Sequence, residues 1–150
     1  NSDGDTYTPT IVRVGVSCHH CVSSVSMEEL ITHRTKATAA GASSLSGKRN
    51  LSTRDSIKMS ILNESSIVCS TLAFSGSSMF ARMTRKFDVV VIDEAAQAVE
   101  PSTFVPLTHG CKQLFLIGDP IQLPATVLSE NARWHRYDKS MFLRFQEAGY

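Results

Sequence analysis

Two acidic residues, Asp93 and Glu94, directly follow a run of apolar, β-branched residues, Val89–Ile92. Carboxylates at the end of a buried strand are costly unless they meet solvent or hold a cation. A magnesium–nucleotide site needs such a pair, because one carboxylate holds Mg²⁺, usually through water, and the other orients or deprotonates an attacking water. The structural alternative is a polar strand end before a helix N-terminus, which also favours acids. On these two residues alone, the alternative is favoured.

A second polar loop follows the next apolar run, Leu114–Ile117. Gly118-Asp119-Pro120 opens the loop, and Gln122-Leu123-Pro124-Ala125-Thr126 continues it. Ligands of open α/β sheets bind beyond the carboxyl ends of the strands, so loops after neighbouring strands meet at one sheet edge. A Gln and an Asp beside a metal-bound phosphate could sense the γ-phosphate there. Gly-Asp-Pro is also ordinary turn chemistry, and a plain turn is the alternative.

The elements that must position both loops follow from periodicity and punctuation. Val89–Ile92 and Leu114–Ile117 are predicted to be buried strands of a parallel sheet. Pro101 suits the first turn of the helix between them, and Gly110 can end that helix. The sequence therefore predicts a β-α-β unit over residues 89–117 and an α/β fold with a mostly parallel sheet.

Further elements are predicted on both sides of this unit. They are strands over residues 10–16 and 67–72, helices over 27–36, 53–63 and roughly 140–148, and a small-residue loop or linker over 37–47. Ser26 and Glu29 match the S-x-x-E capping box, which predicts where the first helix begins. Asp138 or Ser140 is expected to cap the last helix.

Composition excludes several classes of protein. The chain has 150 residues, enough for one domain, with a net charge of +1 and 19% charged residues. These values argue against a long coiled coil, a charged disordered tail and a global basic field for nucleic acid. No apolar run reaches the roughly 20 residues of a membrane helix. Four cysteines are too few for a disulfide-stapled secreted domain, which favours a reduced intracellular compartment.

The sequence DEAAQ at residues 93–97, followed by GDPIQLPAT at 118–126, is a highly specific combination at this separation. It resembles superfamily 1 helicases of the senataxin-like group, and among them the plant members. IVCSTLAFSGSS at residues 67–78 is similar to the preceding segment of that group, and IVRVG at 11–15 and VSMEELI at 25–31 are similar to pieces further upstream.

This resemblance implies an architecture for the whole chain. Residues 1–150 are expected to form part of a first RecA-like helicase domain, with a P-loop NTPase-type parallel sheet and flanking helices. An upstream strand and helix would occupy residues 1–36, a shortened linker or helical insertion residues 37–66, and the core with both motifs residues 67–150.

The resemblance also implies a role for individual residues around ATP. Asp93 would coordinate Mg²⁺ through water, and Glu94 would activate the hydrolytic water. Gln97 would help couple the nucleotide to nucleic acid. Asp119 and Gln122 would contact the catalytic water or the γ-phosphate, so that Glu94, Asp93 and Gln122 form the catalytic set.

Nucleic acid is the implied partner. Ser70 and Thr71 stand where the family meets the nucleic-acid backbone, and hydroxyl contacts to phosphate do not read sequence. The implied substrates are single-stranded RNA or DNA and RNA–DNA hybrids, in the nucleus or otherwise the cytoplasm, with no membrane contact. Protein partners are not implied.

The chain departs from the family at the phosphate cradle, GxxxxGK[ST], which no segment matches. Gly41–Lys48 separates its glycines by five residues, and Arg49 follows the lysine. We expect the P-loop to precede Asn1, a second motor domain to follow Tyr150, and the chain alone to be inactive. The alternatives are a non-catalytic remnant, as a binding module or pseudogene product, and another α/β NTPase, against which GDPIQLPAT argues.

Two further clusters have competing interpretations. Cys18-His19-His20-Cys21 contains metal-binding residue types, but a closed zinc site needs four ligands, and adjacent histidines do not easily join both cysteines on one ion. No metal is expected there, and zinc is the minority interpretation. Trp134 stands among Arg133, His135 and Arg136 and could stack on a base, although packing within a loop is favoured.

Overall fold

The computed structural model describes residues 8–16, 18–40, 51–121 and 123–150. The chain divides into two compact units. The first comprises the chain up to Phe74 together with Arg82–Thr84, and the second comprises Ser75–Ala81 and Arg85–Tyr150. Each unit contains a two-stranded parallel sheet. The α/β class is confirmed, with small parallel sheets among helices.

Four short strands are interspersed with helices along the described part of the chain. The strands are β1 (Ile11–Arg13), β2 (Ile67–Cys69), β3 (Val89–Ile92) and β4 (Gln113–Leu116). The α-helices are α1 (Met27–Ala40), α2 (Leu51–Glu64), α3 (Leu72–Ser75), α4 (Ser78–Ala81), α5 (Glu100–Leu107), α6 (Glu130–Trp134) and α7 (Met141–Glu147). Short 3₁₀ helices occupy His20–Val25 and Ala95–Gln97. Among the described residues, no helix is long and apolar enough to cross a bilayer.

In the first unit, β1 and β2 pair in parallel, with Val12 opposite Val68. Both strands are shorter than the predicted ranges of 10–16 and 67–72. The downstream limit has a local cause, because the Thr71 hydroxyl accepts a hydrogen bond from the Phe74 amide at 3.3 Å and so caps α3. Residues that start a helix cannot continue the extended strand.

Helices α1 and α2 pack on each other and bury Ile31, Ile61 and Leu62. Half of the predicted capping box is present, since the Glu29 amide donates to Ser26 Oγ at 3.3 Å. The reciprocal bond is replaced, because the Ser26 amide donates to the Ser23 carbonyl and the Glu29 carboxylate pairs with His33. Helix α1 runs to Ala40, past the predicted end at residue 36, because its alanines favour helix over loop. The rest of the predicted linker, from residue 41, lies outside the described residues.

In the second unit, β3 and β4 pair in parallel, with Val89 opposite Gln113 and Ile92 opposite Leu116. Helix α5 lies between them in sequence, with a proline in its first turn, as predicted. Gly110 follows α5 with φ of +96°, where a β-carbon would stand 2.7 Å from Lys86 Cβ.

The prediction that β3 is buried on both faces is wrong. Val90 and Ile92 are buried, whereas Val89 and Val91 are 46% and 58% exposed. Phe115 of β4, the register partner of Val91, is also exposed. Successive side chains of a strand point to opposite faces, so one face of this pair lies in the unit's core and the other is open.

Of the two predicted caps of α7, the structure shows Ser140 and not Asp138. The Ser140 hydroxyl accepts a hydrogen bond from the Leu143 amide at 3.1 Å, and both Ser140 and Met141 are buried. The helix packs against the 3₁₀ helix Ala95–Gln97. This contact supports the turn that follows β3.

Candidate functional site

The loops that follow β3 and β4 are joined by backbone hydrogen bonds. The Ala95 amide donates to the Ile117 carbonyl at 2.8 Å, and the Ile117 amide donates to the Ile92 carbonyl at 2.9 Å. The second bond extends the strand ladder by one step, and the first ties the turn after β3 to the end of β4. Asp93 and Glu94 therefore share one sheet edge with the loop that opens at Gly118.

Glu94 has a strained backbone. Its φ and ψ are 54° and 36°, in the left-handed region, which costs a residue with a side chain about 1–2 kcal/mol. The Glu94 amide donates to Asp93 Oδ1 at 3.1 Å, which ties the two acids together locally. The conformation turns the chain sharply out of β3 into the 3₁₀ helix, and both carboxylates remain exposed.

Gln97 holds the carboxylate of Glu94. Its side-chain Nε2 donates to Glu94 Oε2 at 3.1 Å, across one turn of the 3₁₀ helix. The Gln97 amide also donates to the Glu94 carbonyl at 2.9 Å. An amide that fixes one carboxylate oxygen leaves the other oxygen available to a water or a cation.

Gly118 approaches the turn after β3 closely. A β-carbon at this position would lie 3.1 Å from the backbone nitrogens of both Ala95 and Ala96. Both alanines are buried, so the turn has a packed side and an exposed acidic side. Contact with this turn, and not a left-handed φ, is what favours glycine here.

The other residues predicted for the nucleotide site are only partly described. Asp119 is exposed, and its Oδ1 accepts a hydrogen bond from the Ile121 amide at 2.9 Å, which closes a local turn after β4. Gln122 lies outside the described residues.

Ser70 and Thr71, predicted to meet nucleic acid, belong to the first unit and are exposed. The Ser70 hydroxyl donates to the Thr71 carbonyl at 2.9 Å. Thr71 uses a lone pair of its hydroxyl to cap α3. Both hydroxyls have local partners, and both remain within reach of a ligand from solvent.

Charge is arranged differently at the two ends of the β3–β4 pair. Before the strands begin, Lys112 Nζ lies 2.7 Å from Asp88 Oδ1. The hydrogen bond from Lys112 lowers the pKa of Asp88 below its ordinary value, and the same contact raises the pKa of Lys112. The acids that follow β3 lie at the opposite end.

An ion pair between α5 and α7 was not predicted from the sequence. Arg144 Nε and Nη2 donate to both oxygens of Glu100 at 2.7 to 3.0 Å, and this hydrogen bonding raises the pKa of Arg144. The partners are 44 residues apart, so no local spacing signals the pair. It links α5 to the helix that supports the 3₁₀ turn.

The favoured interpretation of Trp134 as a packing residue is wrong. Its side chain is 84% exposed at the end of α6. This short helix buries none of its residues, so it offers no core for the ring.

Comparison with known protein families assigns the chain. The family described as an AAA domain matches residues 42–130, more than half of the sequence. The chain belongs to this family. The match includes both loops of the candidate site and the segment that carries Ser70 and Thr71.

The relatives of this AAA domain chain include helicases. It is 49% identical over 150 residues to the probable helicase MAGATAMA 3 of Arabidopsis thaliana, which covers 100% of this chain and 18% of that protein. It is 46% identical over 94 residues to helicase sen1 of Schizosaccharomyces pombe, a match that covers 63% of this chain and 6% of that protein. It is 44% identical over 90 residues to the probable helicase senataxin of Homo sapiens, a match that covers 57% of this chain and 3% of that protein.

The chain spans less than a fifth of the length of each of these relatives. The family match and these identities confirm the resemblance to senataxin-like superfamily 1 helicases for the region that the chain covers.

Proposed function

We propose that this chain supplies the carboxylate side of an ATP-hydrolysis site in a helicase that couples hydrolysis to movement along nucleic acid and to unwinding. The observation that carries the proposal is the 2.8 Å hydrogen bond from the Ala95 amide to the Ile117 carbonyl. It brings the loops after two parallel strands to one edge, where α/β proteins bind ligands. The similarity to helicases supports the same function.

The donor set at this edge fits magnesium. Exposed carboxylate oxygens are the hard ligands that Mg²⁺ prefers, and Mg²⁺ commonly keeps several waters while one or two carboxylates hold it. We assign Asp93 to this role, through water. When bound, Mg²⁺ would neutralise charge on the phosphates of ATP.

Glu94 would orient or deprotonate the attacking water. A general base must reach the proton it takes, and the exposed Glu94 carboxylate faces solvent with one oxygen fixed by Gln97. Gln97 would thus position the base, besides helping to couple nucleotide to nucleic acid. Asp119 and Gln122 would contact the catalytic water or the γ-phosphate from the neighbouring loop.

Single-stranded RNA or DNA, and RNA–DNA hybrids, are the proposed nucleic-acid substrates. Ser70 and Thr71 would meet the phosphate backbone from the first unit. Contacts of this kind position a strand without reading its bases, so we expect no sequence preference. A nuclear location belongs to the same proposal.

The chain by itself would not hydrolyse ATP. Its 150 residues contain no GxxxxGK[ST] segment, whose backbone amides and lysine cradle the phosphates. An arginine finger from another lobe contributes about 10³–10⁵ in rate to this type of reaction. We therefore assign ATP hydrolysis to a polypeptide that joins this chain to a phosphate-cradling segment and an arginine finger. We do not propose that the chain acts only as a binding module.

The experiment compares three variants in the longest polypeptide that the native transcript encodes. Asp93→Asn and Glu94→Gln should lower the nucleic-acid-stimulated kcat for ATP by about 10²–10⁴-fold. Asp88→Asn is the matched control, because it removes a carboxylate from the opposite end of β3. Site variants with wild-type kcat, or a control with an equal loss, would overturn the proposal.

A further inference from the structure

Three side chains of metal-binding type lie together in the first unit, apart from the residues assigned to ATP. They are His19, His20 and Cys21, at the start of the 3₁₀ helix that leads into α1. One ligand atom from each lies within 4.8 Å of the other two, and all three residues are exposed. The proposed function uses none of them.

The separation of His20 and Cys21 suits a shared metal ion. Cys21 Sγ lies 3.3 Å from His20 Nε2. With Zn–S of about 2.3 Å and Zn–N of about 2.0–2.1 Å, tetrahedral coordination puts a sulfur and a nitrogen ligand roughly 3.5 Å apart. This pair therefore needs little adjustment to bind zinc, and a proton now bridges the two atoms where the ion would lie.

His19 brings a third ligand atom within 4.8 Å of the other two. Its Nδ1 accepts a hydrogen bond from the Cys21 amide at 3.4 Å, so Nδ1 is the unprotonated ring nitrogen. That hydrogen bond is long, and a metal ion can replace it at small cost. The rings of His19 and His20 are 4.1 Å apart at their centroids, which keeps both near one ion.

Cys18 is not part of the cluster. Its thiol donates to the His19 carbonyl at 3.5 Å, and its sulfur is not among the ligand atoms that lie within 4.8 Å of one another. Metal binding was not expected from the sequence, because adjacent histidines do not easily join both cysteines on one ion. The cluster in the structure uses only Cys21. Three protein ligands leave the fourth position to water, the pattern of open zinc sites and not of closed structural ones.

We propose that His19, His20 and Cys21 bind one Zn²⁺ ion, with water as the fourth ligand. Binding forms a zinc–thiolate bond and releases the Cys21 proton to solvent, because a thiol ligates zinc as the thiolate. The ion would bridge the N-cap and the first turn of the 3₁₀ helix between β1 and α1.

Cobalt titration of the untagged, metal-free, reduced full chain tests this site. Co²⁺ should give one-to-one thiolate charge-transfer absorption in the near ultraviolet and visible d–d bands, and Zn²⁺ should bleach both. Cys21→Ser should abolish the charge-transfer absorption. His19→Ala and His20→Ala should each weaken Co²⁺ binding at least about 10-fold, the lower limit found for lost outer-shell partners of a metal.

Two variants serve as controls. Cys18→Ser removes the other cysteine of the motif, and His33→Ala removes an exposed histidine on α1 that pairs with Glu29. Both should keep the wild-type affinity for Co²⁺, with unchanged far-ultraviolet circular dichroism in every variant. Absence of the bands in the wild type, retention of them in Cys21→Ser, or equal loss in Cys18→Ser would overturn the proposal.

Discussion

Gly118 lies so close to Ala95 that a β-carbon on the glycine would stand 3.1 Å from the alanine's backbone nitrogen. The same nitrogen donates a 2.8 Å hydrogen bond to the Ile117 carbonyl. The loop after β4 thus packs directly on the turn after β3. The position of one loop fixes the position of the other.

Gly118→Ala should destabilise the second unit. The added methyl group meets two backbone nitrogens, and Ala95 cannot retreat without breaking its bond to Ile117. We expect a loss of about 1–3 kcal/mol in the free energy of unfolding, measured with urea. In the native polypeptide, the displaced turn should also lower kcat.

Gly15→Ala is the control for the effect on the site. A β-carbon at Gly15 would meet only the Arg13 guanidinium, at ordinary contact distances of 3.7 to 3.8 Å, but its φ of +158° is one that residues with a side chain rarely adopt. Backbone strain should therefore lower the stability of this variant too. Gly15 belongs to the first unit, so the kcat of the native polypeptide should stay at the wild-type value. An equal loss of kcat in the two variants would contradict the specific effect of Gly118 on the turn after β3.

Glu94→Gly should give a more stable protein than Glu94→Ala, by about 1 kcal/mol. Both variants lose the carboxylate, but only glycine adopts φ of 54° without strain. Urea unfolding of the two proteins measures the difference. Both should have the low kcat expected of a site without its base.

At Gln113, an exposed residue of β4 in ordinary extended backbone, the order should reverse. The Gln113→Gly protein should be less stable than the Gln113→Ala protein by about 0.5–1 kcal/mol. The same order at both positions would show that Glu94 carries no backbone strain.

Ser140→Ala should destabilise more than Ser129→Ala. Each serine caps a helix, accepting from the Leu143 amide at 3.1 Å and from the Ala132 amide at 3.3 Å, respectively. Ser140 is buried under a helix that supports the 3₁₀ turn, whereas Ser129 is exposed. We expect the free energy of unfolding to fall by about 1–2 kcal/mol in Ser140→Ala and by about 0.5 kcal/mol in Ser129→Ala. Equal decreases of the melting temperature in the two variants would contradict this difference.

The ion pair between α1 and α2 should be lost in acid. Arg34 donates hydrogen bonds to Glu64 and, at 2.9 Å, to Ser60 Oγ. The hydrogen bond from Arg34 lowers the pKa of Glu64 below its ordinary value. The pair's stabilisation is therefore present above the unfolded pKa of Glu64, about 4.3, and is lost as the pH falls through the lowered folded value.

A double-mutant cycle of Arg34→Gln and Glu64→Gln measures this coupling. Both side chains are partly exposed, so the coupling at about pH 7 should not exceed about 1 kcal/mol. It should be smaller at about pH 3, which lies below the unfolded pKa of about 4.3. A coupling that is the same at both values would exclude the Glu64 carboxylate as its source.

The sequence predicted the features that depend on local chemistry. The S-x-x-E pattern at Ser26 and Glu29 placed the start of α1, where the Ser26 hydroxyl caps the helix, and Pro101 placed the start of α5. The β-branched run predicted β3 with its observed bounds. In each case the deciding atoms lie within a few residues of one another.

Other features depend on partners distant in the chain. Whether Val91 is buried depends on what covers the sheet, and no residue near it in sequence carries that information. The pairing of Glu100 with Arg144 has the same character. The left-handed backbone of Glu94 was not predicted either, because glutamate is not a residue type that signals it.

The unequal charge at the two ends of the β3–β4 pair bears on the form in which ATP arrives. Asp88 is compensated by Lys112 at one end. At the opposite end lie Asp93 and Glu94. In the part of the chain that the structure describes, no lysine or arginine forms an ion pair with either of them. Uncomplexed ATP would meet like charge there, so under the proposed function the metal and nucleotide bind as one complex, and excess free ATP acts as a poor competitor.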